Sequence, residues 1–183
     1  MRRLEVPLSI KRDRLHTTIQ IAMGWTDSHL YEFRFAGGAA FGVPDPDYIS
    51  NTSDARKATL GAALEDCGAR SLHYVYDFGD YWDHIVSVER IETGESGFPY
   101  PSLLAATGQC PTEDVGGPTG YLQYLEALAD PEHPEHEDLL GWGPADFDPN
   151  EVNDADIAIR LPRTSTVAIN RLEHRKLSSP CSE

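Results

Sequence analysis

Two stretches alternate apolar with polar residues, run into a glycine-containing turn and then alternate again, a pattern that commits a chain to antiparallel hairpins. His29 to Phe35 places His29, Tyr31, Phe33 and Phe35 on one side of a strand, Gly37-Gly38 marks a turn, and Ala39 to Val43 returns. Further on, Leu72, Tyr74 and Tyr76 alternate with His73 and Val75; Asp77-Phe78-Gly79-Asp80 supplies the turn, and Trp82 to Ile91 is the partner strand. Around these hairpins the period changes to that of a helix. Arg12 to Met23 sets Leu15, Ile19, Ala22 and Met23 on one face and stops at Gly24. Thr59 can cap a short helix to about Asp66, closed by Gly68. Pro118 opens a helix with Tyr121, Leu122, Leu125, Leu128 and Ala129 facing inward, which Asp130-Pro131 ends. A short helix from Pro134 to Leu140 and a last one over about 149–160, opened by Asp148-Pro149, complete the pattern. Residues 44–57 read as a polar loop and 93–117 as a long ordered loop of the functional kind. The expected fold is α+β, an antiparallel sheet built from hairpins packed against several helices. One domain is expected over 1–160, followed by a C-terminal extension over 161–183 that is expected to be partly disordered.

The charge is unevenly placed. The 183 residues hold 15 Lys or Arg against 30 Asp or Glu, a net charge of −15. Arg2, Arg3, Lys11, Arg12 and Arg14 crowd the start, and Arg160, Arg163, Arg171, Arg175 and Lys176 the end. From Ile91 to Ile159 there is no Lys or Arg and there are 15 acids. Such a segment attracts cations or basic proteins and repels phosphate backbones, so direct nucleic-acid binding is not expected. No apolar run reaches the roughly 18–20 residues of a membrane span and no signal peptide follows Met1, so the expected location is cytoplasmic. Cys67, Cys110 and Cys181 form no CxxC pair, which fits a reducing compartment.

Three constellations carry candidate chemistry. Asp77, Asp80, Asp83 and His84 surround one tight turn, where carboxylates three apart can converge on a divalent ion and His84 can add a nitrogen ligand. The competing reading makes Asp77 and Asp80 acceptors of turn N–H groups. Cys110 stands beside Glu113 and Asp114, whose charge raises a thiol pKa, the wrong direction for a nucleophile; capping and structural roles fit better. His133 and His136 are three apart, a spacing that shares a helix face, but Pro134 starts the helix between them. Trp25, His29, Tyr31 and Trp82 line either an aromatic groove or the core. There is no GxSxG elbow and no P-loop.

IQIAMGWTDSHLYEF (Ile19–Phe33), YVYDFGDYWDHIVSVE (Tyr74–Glu89), CPTEDVGGPTGYLQYLEALADPEHPEHE (Cys110–Glu137) and FDP (Phe147–Pro149) stand in an order that resembles the plasmid pRiA4b ORF-3-like family. The likeness runs from about Met1 to Ile159. It implies an α+β fold, bacterial genes often near plasmid and transposon genes, and no established activity. It also implies a strand ahead of Arg2-Arg3, missing here, which would leave a neighbouring strand with an open edge. Thr119 stands where the family often has Trp, and Val115 where it has a second cysteine, so Cys110 has no thiol partner at that spacing. Some members are labelled resolvases; no activated serine among arginines and no helix-turn-helix supports that here.

Residues and resemblance together favour an acidic binding or accessory module of a mobile-element-associated family, with a basic protein as partner and with Trp82, Glu113, Asp114, His133 and His136 on the binding surface. No cofactor is expected, apart from a divalent metal under the alternative reading. That alternative is a metal-dependent enzyme built on Asp77, Asp80 and His84. A nucleic-acid-associated regulator using Arg2, Arg3, Arg12 and Arg14 comes third.

Overall fold

A computed structural model describes residues 1–44, 52–68, 70–95, 97–144 and 146–162. In chain order the elements are β1 (Arg2–Glu5), α1 (Arg12–Met23), β2 (Tyr31–Arg34), β3 (Ala40–Gly42), β4 (Thr52–Asp54) and a 3-10 turn (Ala55–Lys57). Then come α2 (Leu60–Cys67), β5 (Ser71–Tyr76), β6 (Trp82–Ser87), β7 (Ser102–Ala106), α3 (Gly117–Ala129), α4 (His136–Trp142) and α5 (Asp154–Arg160). The class is α+β. Five strands form one sheet in the order β4-β3-β2-β5-β6, and β1 and β7 form a second. Among the described residues every strand pairing is antiparallel except β3 with β4, which is parallel.

Both hairpins form as their alternation predicts. Phe33 opposes Tyr74 and Tyr31 opposes Tyr76 across β2 and β5, and Tyr74 opposes His84 across β5 and β6. Tyr31, Phe33 and Phe35 are buried while Glu32 and Arg34 are half-buried, the signature of one face turned to a core. That face packs on α1 through Leu15 and Ile19. Gly24 stops α1 in the left-handed conformation, φ 83°, and its N–H returns to the Gln20 and Ile21 carbonyls. Thr59 caps α2 by accepting from the Ala62 N–H at 3.2 Å.

Several elements depart from expectation. The segment 93–117 is not one loop, because β7 lies inside it and pairs with β1 about a hundred positions away. The segment 44–57 likewise contains β4 and the 3-10 turn. Helices α4 and α5 start later than proline placement suggested, with Asn153 rather than Asp148 capping α5 by accepting from the Asp156 N–H at 3.0 Å. Leu161 is buried against Ala22 and Ile157, so the packed body reaches past 160. The extension beyond 162, with Cys181, Arg163, Arg171, Arg175 and Lys176, lies outside the described residues.

Candidate functional site

Three connections meet at one end of the five-stranded sheet: 24–29 after α1, 77–81 between β5 and β6, and 108–117 before α3. Each is shaped locally. Trp25 stacks on Tyr76 at 4.8 Å and donates its indole N–H to the Pro111 carbonyl at 3.0 Å. Asp77 takes a positive φ of 54°, which lets its Oδ1 accept from Gly79 N at 2.9 Å and Asp80 N at 3.3 Å. In the third connection Asp114, Gly116 and Gly117 all have positive φ. The Gly116 N–H donates to Asp80 Oδ2 at 3.1 Å, and a Cβ added at Gly117 would overlap the Asp80 carbonyl. Glu113 accepts from the Tyr76 hydroxyl at 2.6 Å, the Thr26 hydroxyl at 2.6 Å and the Thr26 N–H at 3.0 Å, clamping the first connection to the third.

These constraints bring His29, Asp77 and Asp114 together, with one ligand atom from each lying within 4.8 Å of the others. His29 Nε2 stands 3.1 Å from Asp114 Oδ1 and 3.6 Å from Asp77 Oδ2. It is buried, yet neither carboxylate is aligned to hydrogen-bond it. The contacts are ion pairs by distance only, and the absent alignment decides that the imidazole nitrogen is unsatisfied. Donors about 2.1 Å from an ion, at angles between octahedral and tetrahedral, lie about 3.0–3.4 Å apart, close to both separations. Asp77 is nearly enclosed, its side chain 11% exposed, whereas Asp114 at 71% faces water. One carboxylate therefore sits in the protein and the other at the mouth.

The sequence candidates distribute around this cluster. Asp77 belongs to it. Asp80 does not, and instead holds the backbone that carries Asp114. His84 sits on the inner face of β6, its Nδ1 3.2 Å from the Trp82 carbonyl and its ring edge-on to Trp25 at 5.4 Å. Burial lowers the His84 pKa and keeps the ring neutral. Asp83 faces the other way, 2.8 Å from His73 Nδ1. Trp82 is buried between Trp25 and Tyr121. His133 accepts from the Glu135 N–H at 3.2 Å, and His136 Nδ1 lies 2.7 Å from the Ala127 carbonyl, so the two make separate local contacts. Cys110 receives the Arg2 guanidinium at 3.2 Å and lies 3.3 Å from Met23 Sδ, and burial pushes its thiol pKa up.

The early arginines are dispersed. Arg12 is 2% exposed with its guanidinium 3.5 Å above the Phe41 ring, Arg2 is engaged by backbone carbonyls, and Arg3 pairs with Glu89 at 3.0 Å.

Sequence reasoning did not single out His29 as a possible ligand and placed it on the apolar side of a strand. Its partners come from connections 48 and 85 positions later, and no short spacing records them. A second network also escaped it. His16, 3% exposed, is 2.6 Å from Asp27 Oδ1 through Nε2 and 2.8 Å from the Tyr74 hydroxyl through Nδ1, and Gln20 donates to that hydroxyl at 2.9 Å. With the Gln20 amide donating to the Tyr74 hydroxyl, that hydroxyl is free to donate to Nδ1, which leaves Nε2 to donate to Asp27 Oδ1.

The family model described as plasmid pRiA4b ORF-3-like protein matches residues 1–156. A protein from Sinorhizobium fredii (strain NBRC 101917 / NGR234), the uncharacterized protein y4hQ, is 49% identical over 156 residues, 84% of this chain and 78% of that one. The crystal structure of a protein of unknown function, MM3350 from Methanosarcina mazei Go1, superposes with a TM-score of 0.74 at 36% identity, covering 85% of this chain and 87% of the other.

Proposed function

This chain belongs to the plasmid pRiA4b ORF-3-like family, and we propose that it binds a divalent cation through His29, Asp77 and Asp114. The observation that supports this reading is the buried, unsatisfied His29 Nε2 set between two carboxylate oxygens from separate segments. Leaving such a nitrogen unpaired costs about 1–3 kcal/mol, and an ion would supply its partner. One imidazole with two carboxylates suits zinc, manganese or magnesium better than a soft thiophilic metal. Three protein ligands leave coordination positions open for water or a substrate oxygen, the arrangement of ions that polarise a bond or activate water. Within this reading Asp80 and Glu113 position the ligand-bearing connections and His84 plays no part in coordination.

The test is metal content of the purified chain together with its melting temperature with and without chelator. Stoichiometric metal and a chelator-induced drop, both lost in Asp114→Asn, are expected. Asn tolerates the left-handed backbone at 114, so that variant keeps its fold. No bound metal and no response to zinc, manganese, magnesium or calcium would end the reading.

A second reading rests on charge. The 15 acids and absent Lys and Arg between 91 and 159 support an accessory module that docks a basic protein, in keeping with a mobile-element setting. Leu122 and Trp142, 61% and 47% exposed on α3 and α4, add apolar contact area. Charge reversal at Glu126, Glu132 and Glu137 should abolish a salt-sensitive complex; capture that survives reversal would remove this reading.

A further inference from the structure

His29 also borders a cleft of about 270 Å³, whose wall continues through Asp13, His16, Asp27, Tyr31 and Asp54. That volume lies just below the usual range for small-molecule sites and suits one small group. Its carboxylates are unevenly satisfied. Asp54 is taken up by Arg56, whose side chain and backbone N–H make three contacts of 2.9 Å that pull its pKa down to about 2. Asp13 has a buried Oδ1 with no hydrogen-bond partner. Asp27 Oδ1 takes the His16 Nε2 at 2.6 Å, and the Asp27 side chain stays 55% exposed, open to a further donor. Arg14 lies exposed at the rim, and the lining holds three carboxylates against two guanidiniums. His16 stacks on Tyr31 at 3.5 Å and 6°, and both rings line the cleft.

Asp27 itself is held in place for this. Its φ is 61°, unusual for a residue with a side chain, and the Gln20 side chain secures it by accepting from its N–H at 3.1 Å. Backbone strain maintained by a buried partner is common where a side chain must be aimed.

We propose that the cleft binds a single ammonium or guanidinium group, held by the Asp13 and Asp27 carboxylates beside the Tyr31–His16 pair. The group can belong to a free alkylamine or to a Lys or Arg side chain of a partner. The inference does not depend on the ion at His29, Asp77 and Asp114.

The experiment uses the full chain in chelator, which keeps the neighbouring cluster free of metal. Amide NMR shifts are followed while cadaverine is added in one arm and Nα-acetyl-lysine amide in another, with pentanol as the uncharged control. Saturable shifts at Asp13, Thr17, Asp27 and His29 with either amine, and none with pentanol, are expected. Binding should weaken by about 10- to 100-fold in Asp13→Asn and in Asp27→Asn, the loss of one hydrogen bond to a charged group. Asn accepts a positive φ as readily as Asp, so Asp27→Asn should fold normally, which the unchanged remainder of its spectrum would verify. Response to cadaverine alone assigns a free amine, and response to the lysine amide alone a partner's side chain. No saturable shift, an equal response to pentanol, or undiminished binding in both variants would overturn the proposal.

Discussion

On the five-stranded sheet Phe33, Leu72, Tyr74, Val75 and Tyr76 are each at or below 1% exposed. Between 91 and 159 Tyr124 and Ala127 reach that level, while Leu122, Leu140, Trp142 and Ile159 stand at 47% to 74%. The two regions are held by different means. The first rests on aromatic burial, the second on the thirteen-residue α3, two short helices, the pairing of β7 with β1 and a few polar clamps such as Glu113. A thinly buried region opens locally at lower free energy than a packed one. The candidate ion site lies on the seam, taking His29 and Asp77 from the sheet side and Asp114 from the acidic side. An ion there would fasten the weaker region to the stronger.

The sharpest way to break the comparison is to cut into both sides. Phe33→Ala should cost about 3–5 kcal/mol and Leu122→Ala within about 0.5 kcal/mol, read from urea midpoints at constant slope. Equal costs would mean the regions do not differ as their burial says. Next in size is the ion. At a free concentration of about 100 times its dissociation constant it should add about 2.7 kcal/mol. Hydrogen exchange should slow most in residues 108–117, and an effect confined to β2 and β5 would place the ion elsewhere.

Replacing His16 by Leu should cost about 1–3 kcal/mol by leaving the polar groups of Tyr74 and Asp27 short of a partner. It should also reduce the loss of stability in acid. Burial lowers the His16 and His84 pKa, so the folded state keeps both rings neutral while the unfolded chain takes up protons below about pH 6.5. Stability should therefore be full above that pH and fall as pH drops through it, with the smaller slope in the variant. Melting temperature between pH 8 and 5 checks this.

A matched pair of caps comes below that. Thr59→Ala and Asn153→Ala each remove one cap at about 1 kcal/mol. Exchange should rise across the sheet region for the first and stay within α5 for the second. Smallest is Arg3→Ala, whose half-exposed pair with Glu89 is worth under about 1 kcal/mol.

What could be read from the sequence divides along the same seam. Helix α1, both hairpins and the Thr59 cap follow from period and local chemistry, because the information lies within a few residues. The β1–β7 sheet and the parallel β3–β4 pairing do not, since short strands with distant partners leave no periodic trace. Asp77 and Asp114 are visible as acids near turns. Their meeting with His29 is not, because it depends on how three connections are packed. Asp80 and His84 lie close to Asp77 in the chain, but the turn commits Asp80 to the Gly116 N–H and the pleat turns His84 toward Trp25.

The crowding of Gly117 against the Asp80 carbonyl has a consequence for how this sequence can change. Any side chain there would push apart two segments that must touch, so a saturation library at 117 should return glycine alone. Asp114, three positions earlier and open to water, meets no such crowding and is limited only to residues that adopt its left-handed φ of 62°. The loop's address is written in one residue and its chemistry in another. New chemistry could be tried at 114 among residues that keep its backbone, while Glu113 has to stay to hold the first connection to the third.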